Sequence, residues 1–262
     1  MPLTSHELDE IARAKELLEN PSLAVRITDL IGMPIEALVK RLPGSAQALI
    51  SDGTRKALNA SLDVAVRTLD ARRSTPSDWL HRGIVMATGA AGGFVGLSGL
   101  VVELPVSLTV MLRSIADHAR SQGEDLSMLA NRLECLTVFA YGTRSSGDDA
   151  ADAGYFAVRT ALARTVSRAA EYVAGRGIAE MAGEKGAPAL VQLIARIAQR
   201  LGVAVTNKAA AQLVPVIGAA GGAAINALFI NHYQGAAWAH FTVRRLERAH
   251  GPDAVRLAFE RA

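Results

Sequence analysis

Six polar residues standing in or beside long apolar runs are the ones with chemistry to offer: Glu103, Arg113, Asn226, Asn231, His232 and His240. Glu103 follows the uncharged run Gly83 to Val102, and a carboxylate held out of water there would be a poor anion and a usable acid. It also directly precedes Leu104 and Pro105, where the first turn of a helix favours a negative charge. Arg113 lies ten residues on, about 280° round a helix axis, so it can meet Glu103 only across a bundle. Asn226, Asn231 and His232 fall in a second apolar run, where buried polar groups need hydrogen-bond partners. His232 and His240 are about 80° apart round that helix, close enough to face one site. Convergence of Glu103, Arg113 and one of these histidines in a polar cleft would suit a hydrolase.

Other chemistry finds little support in the spacing. A metal site would need His118 and Glu103 recruited from far apart, and no HExxH-type spacing occurs, so no metal is expected. Gly96-Leu-Ser-Gly99 is one residue short of a nucleophile elbow and follows no strand-like run. Ser145 and Ser146, beside Asp148 and Asp149, suit a polar loop or helix cap better than a triad. Cys135 lies on an apolar helix face as an ordinary core residue, and as the only cysteine it excludes an internal disulfide. The segment Gly202 to Lys208 lacks the Gly-Lys-Ser/Thr ending of a phosphate loop, and the glycines from Gly89 to Gly99 follow no strand, so no cofactor is expected. Arg244, Arg245 and Arg248 interleave with Leu246 and Glu247 as a solvated helix end, which does not read nucleic acid.

The elements that must position these residues are helices. Hydrophobic residues make up 50% of the chain and aromatics only 5%, so the apolar surface is Ala, Leu, Val and Ile, suited to close helix packing. Apolar residues recur at three- and four-residue spacing from Ser5 to Leu18, with Ser5 as the expected cap, and again over Leu23 to Ile31, Ile35 to Arg41 and Ala46 to Leu69. Further helices are expected from Pro105 to Gln122, from about Asp125 to Tyr141, and over Asp152 to Tyr172. Pro188 to Leu201, Val203 to Val214, Gly221 to Arg248 and Pro252 to Arg261 complete the set. No segment alternates with period two, and the fold class is all-α, a multi-helix bundle with two buried glycine-rich helical segments. Ser74 to Asp78 reads as a linker, dividing a helical region at 1–73 from a larger domain at 78–262.

Those two segments, Gly83 to Val102 and Leu213 to Asn226, share an Ala-Ala-Gly-Gly core at Ala90 to Gly93 and at Ala219 to Gly222. Each glycine costs a helix about 1 kcal/mol relative to alanine, so Gly89, Gly92, Gly93, Gly96, Gly99, Gly218, Gly221 and Gly222 must serve close packing or insertion into a membrane. Twenty uncharged residues are long enough to span hydrocarbon, but the glycines, Pro215, Asn226 and Asn231, and the lack of flanking aromatics favour a buried hairpin or shallow insertion. The formal charge of +3 permits contact with an anionic membrane and falls short of a nucleic-acid footprint. The first residues show no signal peptide, and a cytoplasmic place, peripheral at the inner membrane, is expected.

Several separated motifs, in order, resemble the EcsC family of bacterial proteins. They are Gly92-Gly-Phe-Val-Gly-Leu-Ser-Gly-Leu-Val-Val-Glu-Leu-Pro105 with Leu112 and Arg113; Gly154-Tyr-Phe-Ala-Val-Arg159; Val214 to Asn226 running into Phe229-Ile-Asn-His232; His240-Phe241; and Arg244-Arg-Leu-Glu-Arg248. The resemblance covers roughly Asp78 to the C-terminus, with Glu103 where an aspartate is usual. It implies a helical protein tied by name to an operon encoding an ABC-transporter ATPase and its membrane subunit. Three functions follow as expectations: an accessory protein without catalysis that binds lipid, a membrane partner or its own copy (a homo-oligomer) through the glycine-rich helices; a hydrolase with its polar cleft around Glu103, Arg113 and His232, peptidase-like as the resemblance implies; and a carrier of an apolar ligand.

Overall fold

The computed structural model describes residues 2–19, 23–69, 78–93, 97–141, 154–176, 188–212 and 218–262. Ser74, Gly96, Ser145, Ser146, Asp148 and Asp149 lie outside these residues. The described residues form eleven α-helices and no strand: α1 Ser5–Glu19, α2 Leu23–Ile31, α3 Ile35–Val39, α4 Gly44–Thr68, α5 Asp78–Gly93, α6 Leu97–Ser121, α7 Leu129–Thr137, α8 Tyr155–Arg176, α9 Pro188–Ala211, α10 Gly218–His250 and α11 Pro252–Arg261, with a 3-10 turn at Val138–Ala140 after α7. The fold is all-α.

The long α10 is the axis. Its first half packs along α5, which pairs with α6, and its second half carries α1. On the far side, α4 lies along α6 and also touches α9, which packs against α8. Helices before residue 70 and after residue 77 therefore share one hydrophobic core, in which Ile11 of α1 and Leu58 of α4 join Leu112, Leu201 and Phe229.

Three local outcomes differ from the sequence expectation. The cap of α1 is Thr4, not Ser5: Thr4 Oγ1 accepts the Glu7 amide at 3.3 Å while Glu7 Oε2 accepts the Thr4 amide at 2.8 Å, a capping box. Helix α6 starts at Leu97 and carries Pro105 inside it. The proline forfeits one backbone bond, a cost of about 3 kcal/mol in a helix interior, but Leu100, Leu104, Leu108, Met111 and Leu112 are all buried along the same helix, and that packing holds it through. Helix α9 likewise runs unbroken through Gly202, because Leu193, Ile197, Leu201, Val205 and Lys208 continue one buried face. The first glycine-rich run is consequently divided between the end of α5 and the start of α6, while the described part of the second, 218–226, lies in the start of α10.

One glycine marks a close helix approach. A Cβ built on Gly235 of α10 would meet Leu17 Cδ2 of α1 at 3.2 Å, so α1 lies nearer the α10 backbone than a larger residue permits. Gly235→Leu should lower unfolding free energy by about 1–3 kcal/mol through overpacking, read as a reduced urea midpoint with unchanged slope.

Candidate functional site

Four helices meet at one buried carboxylate. Glu103 of α6 accepts at Oε1 from Lys208 Nζ of α9 at 2.5 Å, from Asn226 Nδ2 of α10 at 2.6 Å and from Ser107 Oγ one turn along α6 at 3.2 Å. Asn226 Nδ2 also donates to the Val85 carbonyl of α5 at 2.7 Å, and Thr88 Oγ1 of α5 meets Ser107 Oγ at 3.0 Å. The side chains of Lys208 and Glu103 are 1% and 2% exposed. Burial holds the Lys208 ammonium below its usual range, opposed by the adjacent carboxylate, and Lys208 Nζ sits 5.4 Å over the Phe229 ring.

A second polar layer lies further along the same helices. Gln234 Nε2 of α10 donates to Ser114 Oγ of α6 at 3.0 Å, and Arg82 of α5 donates to Gln234 Oε1 at 3.3 Å. With Glu103 paired to Asn226 and Ser114 to Gln234, α6 and α10 run in the same direction, and α5 runs against both. The glycine-rich end of α5 and the starts of α6 and α10 thus point to one end of the molecule, beyond the Glu103 level.

Of the six candidate residues, only Glu103 and Asn226 come together. Arg113 is exposed and donates to Thr68 Oγ1 of α4 at 3.3 Å, on the outer side of α6 and away from Glu103. Asn231 is half-buried, and no hydrogen bond links it to Glu103 among the described residues. His232 and His240 both touch Tyr141, but at different parts of it. His232 is buried and bonds the Tyr141 backbone, and burial first, with Arg26 nearby, lowers its pKa to about 4. His240 is fully buried against the Tyr141 ring, 4.9 Å between centroids, with Nδ1 2.8 Å from the Tyr155 hydroxyl and Nε2 3.2 Å from Glu134 Oε1. Burial works against ionisation of Glu134, but His240 together with Arg244 and Arg159 outweighs it and holds the carboxyl below its usual range. Cys135 is buried beside this group, and burial pushes its thiol up.

Among the described residues, no three His, Cys, Asp or Glu side chains are grouped to hold a metal ion. Of the candidate glycines, Gly89, Gly92 and Gly93 end α5, Gly99 and Gly222 are buried in α6 and α10, Gly221 is half-buried, and Gly218 begins α10.

Sequence reasoning missed Lys208, Glu134, Tyr141 and Tyr155. For Lys208 a signal was present. Glu103 is the only Asp, Glu, Lys or Arg between Arg82 and Arg113, and Lys208 the only one between Arg200 and Arg244. Two solitary charges of opposite sign in long apolar runs are each other's natural partners once both runs are buried.

The family model of the EcsC protein family matches residues 5–246. The chain belongs to the EcsC protein family. The match takes in α1 to α9 and most of α10, so the helices before residue 73 belong to it along with the charge pair and both histidines. No curated protein and no solved structure matches the chain.

Two outcomes test this reading of the EcsC chain. Lys208→Met should cost about 3–5 kcal/mol by leaving Glu103 buried and unpaired, and adding Glu103→Leu should recover most of that loss; chemical unfolding of the wild type, the single and the double variant measures it. His232 binds its proton more weakly folded than unfolded, so its contribution is complete above the ordinary value of 6.5 and is lost as pH falls from there towards 4. Wild type should lose about 2–3 kcal/mol from this group by pH 4.5, and His232→Gln should flatten that part of the pH–stability curve.

Proposed function

We propose that this EcsC protein is an accessory protein without catalysis of its own, acting at the cytoplasmic face of a membrane and binding lipid through its glycine-rich helices. The observation that carries the reading is the distribution of charge. The two charges in the runs 83–112 and 201–243 neutralise each other inside the core, so beyond Glu103 and Lys208 the described ends of α5, α6, α9 and α10 carry no other Asp, Glu, Lys or Arg. A charge there would oppose contact with acyl chains by about 2.5–3.5 kcal/mol.

Two further features support it. Val102, close to the start of α6, is 74% exposed, an apolar side chain offered outward beside that uncharged end. The polar groups best suited to hydrolysis are already engaged by one another: Glu103 by Lys208 and Asn226, His240 by Tyr155. The helix α9, Pro188–Ala211, is long and apolar enough to cross a membrane by length and composition, but Leu193, Ile197 and Leu201 on it are buried in the core, as is Lys208. The reading is therefore of a surface contact and not of a span.

Flotation of the purified protein with liposomes at low and at high salt tests this. Binding to neutral phospholipid that persists in high salt is the expected result, and Val102→Glu should reduce it at unchanged Tm. Absence of flotation, or flotation abolished by salt, would overturn the proposal.

A further inference from the structure

The junction of α6, α9 and α10 gathers buried polar atoms for which the described residues supply no partner. The donors at Glu103 all converge on Oε1, and Oε2 of the same carboxylate accepts no hydrogen bond. Asn226 uses both protons of Nδ2, on the Val85 carbonyl and on Glu103, which fixes the orientation of its amide and leaves Oδ1 an unused acceptor. The two side chains are bonded to each other, so their two free oxygens lie at one place. Glu103 is 5% and Asn226 0% exposed, and polar atoms buried so deeply almost always have a partner.

The next helical turn repeats the pattern on all three helices. The 3-10 turn, beside the Tyr141 that meets His232 and His240, touches both α9 and α10. The body of α9 therefore follows that half of α10, and its end points towards the glycine-rich end. There Gln212 stands four residues after Lys208, Gly99 four before Glu103 and Gly222 four before Asn226, each about 40° round its helix. The Gln212 amide continues the last turn of α9 by donating to the Lys208 carbonyl at 3.2 Å. Gly99 and Gly222 are buried and bring no side chain, while Nε2 and Oε1 of Gln212 are both buried without a partner.

We infer that this junction binds an uncharged vicinal diol, the glycerol end of a neutral lipid: its two hydroxyls donate to Glu103 Oε2 and Asn226 Oδ1, and Gln212 Nε2 donates to a hydroxyl oxygen. Glu103 and Lys208 already cancel, so an added ion would be buried without a counter-charge, and the ligand is neutral. A hydroxyl supplies one proton, so two adjacent acceptors call for two hydroxyls. The rest of the ligand passes the starts of α6 and α10, whose described residues carry no charge there, and this suits an acyl chain. The inference rests on the lipid-binding reading above and names the lipid chemistry and the atoms that recognise it.

Native mass spectrometry of the purified chain with monooleoylglycerol, methyl oleate and glycerol tests it. Monooleoylglycerol should form a one-to-one complex. Methyl oleate, with the same acyl chain and no hydroxyl, should bind roughly tenfold more weakly or worse. Glycerol should bind more weakly than the lipid; equal or tighter binding would assign the site to a soluble polyol and overturn the lipid assignment. Gln212→Leu should weaken monooleoylglycerol binding roughly tenfold while Tm holds or rises, because it removes a buried amide that lacks a partner in the free protein. Gln199→Leu, at an exposed position of α9, should change neither. Equal binding of the two oleoyl compounds, or unchanged binding by Gln212→Leu, overturns the inference. So does the absence of any complex, which leaves the free oxygens to water. Liposome flotation of the same protein separates the two readings: flotation without the complex refutes the diol site alone, and the complex without flotation refutes the membrane reading alone.

Discussion

The buried pair of Glu103 and Lys208 is the constraint on which the rest of the molecule is arranged. Removing two charges from water costs several kcal/mol each, and their attraction repays this only where geometry and additional hydrogen bonds are good. Here one carboxylate oxygen collects an ammonium, an amide and a hydroxyl from three helices. The amide it shares is also bonded to the backbone of a fourth. Such a knot specifies register more than it adds stability. The helices around it are faced with Ala, Gly and Val, whose small side chains interdigitate weakly and offer several sliding arrangements of similar energy. Only one of those arrangements places Asn226 against both Glu103 and the Val85 carbonyl.

The rest of α10 shows the opposite chemistry. Beyond His240 the helix is fastened by bidentate ion pairs: Arg244 to Glu124, Arg245 to Glu10, and Glu247 to Arg159. His250 adds a contact to Glu7 at 2.8 Å. These clamps reach the start of α1, the turn after α6 and the start of α8, so the charged half of α10 gathers three separate parts of the chain. The helix therefore joins an ionically fastened base to an opposite end at which the described parts of α5, α6, α9 and α10 carry no charge beyond the buried Glu103 and Lys208. A protein that offers one end to lipid needs that division, because clamps built of Arg and Glu could not be desolvated there without large cost.

The helices themselves were legible because burial in this chain follows the three-and-four spacing of its Leu, Ile and Val residues, as in α1 with Ile11, Ala14 and Leu18. Boundaries were less legible where propensity and packing disagree. Pro105 and Gly202 both read as interruptions, and at both the continuous buried face wins. The site was half legible. Glu103 and Asn226 stand out as polar residues in apolar runs, and they do meet. Arg113 does not join them, for the reason its position on the helix already implies, since a residue about 280° from Glu103 faces out when Glu103 faces in. Lys208 escaped because the second glycine-rich segment was read from Leu213 onward, which placed the decisive charge outside it. Tyr155 and Glu134 had no local signal at all, as their partner His240 is 85 residues from one and far along the chain from the other.

The same physics bears on the proposed membrane contact, and favours the flank of the bundle over its tip. The first four N–H groups of α6 and α10 and the last carbonyls of α5 have no partner within their own helices. Hydrocarbon supplies none, and each unsatisfied group there costs several kcal/mol. A deep plunge by the glycine-rich end would expose all of them at once. The flank of α5 and α6 presents only satisfied helical backbone, with Ile84 and Val106 exposed on it. A protein lying on that flank would keep the helix ends near the headgroups, where water and phosphate can bond them.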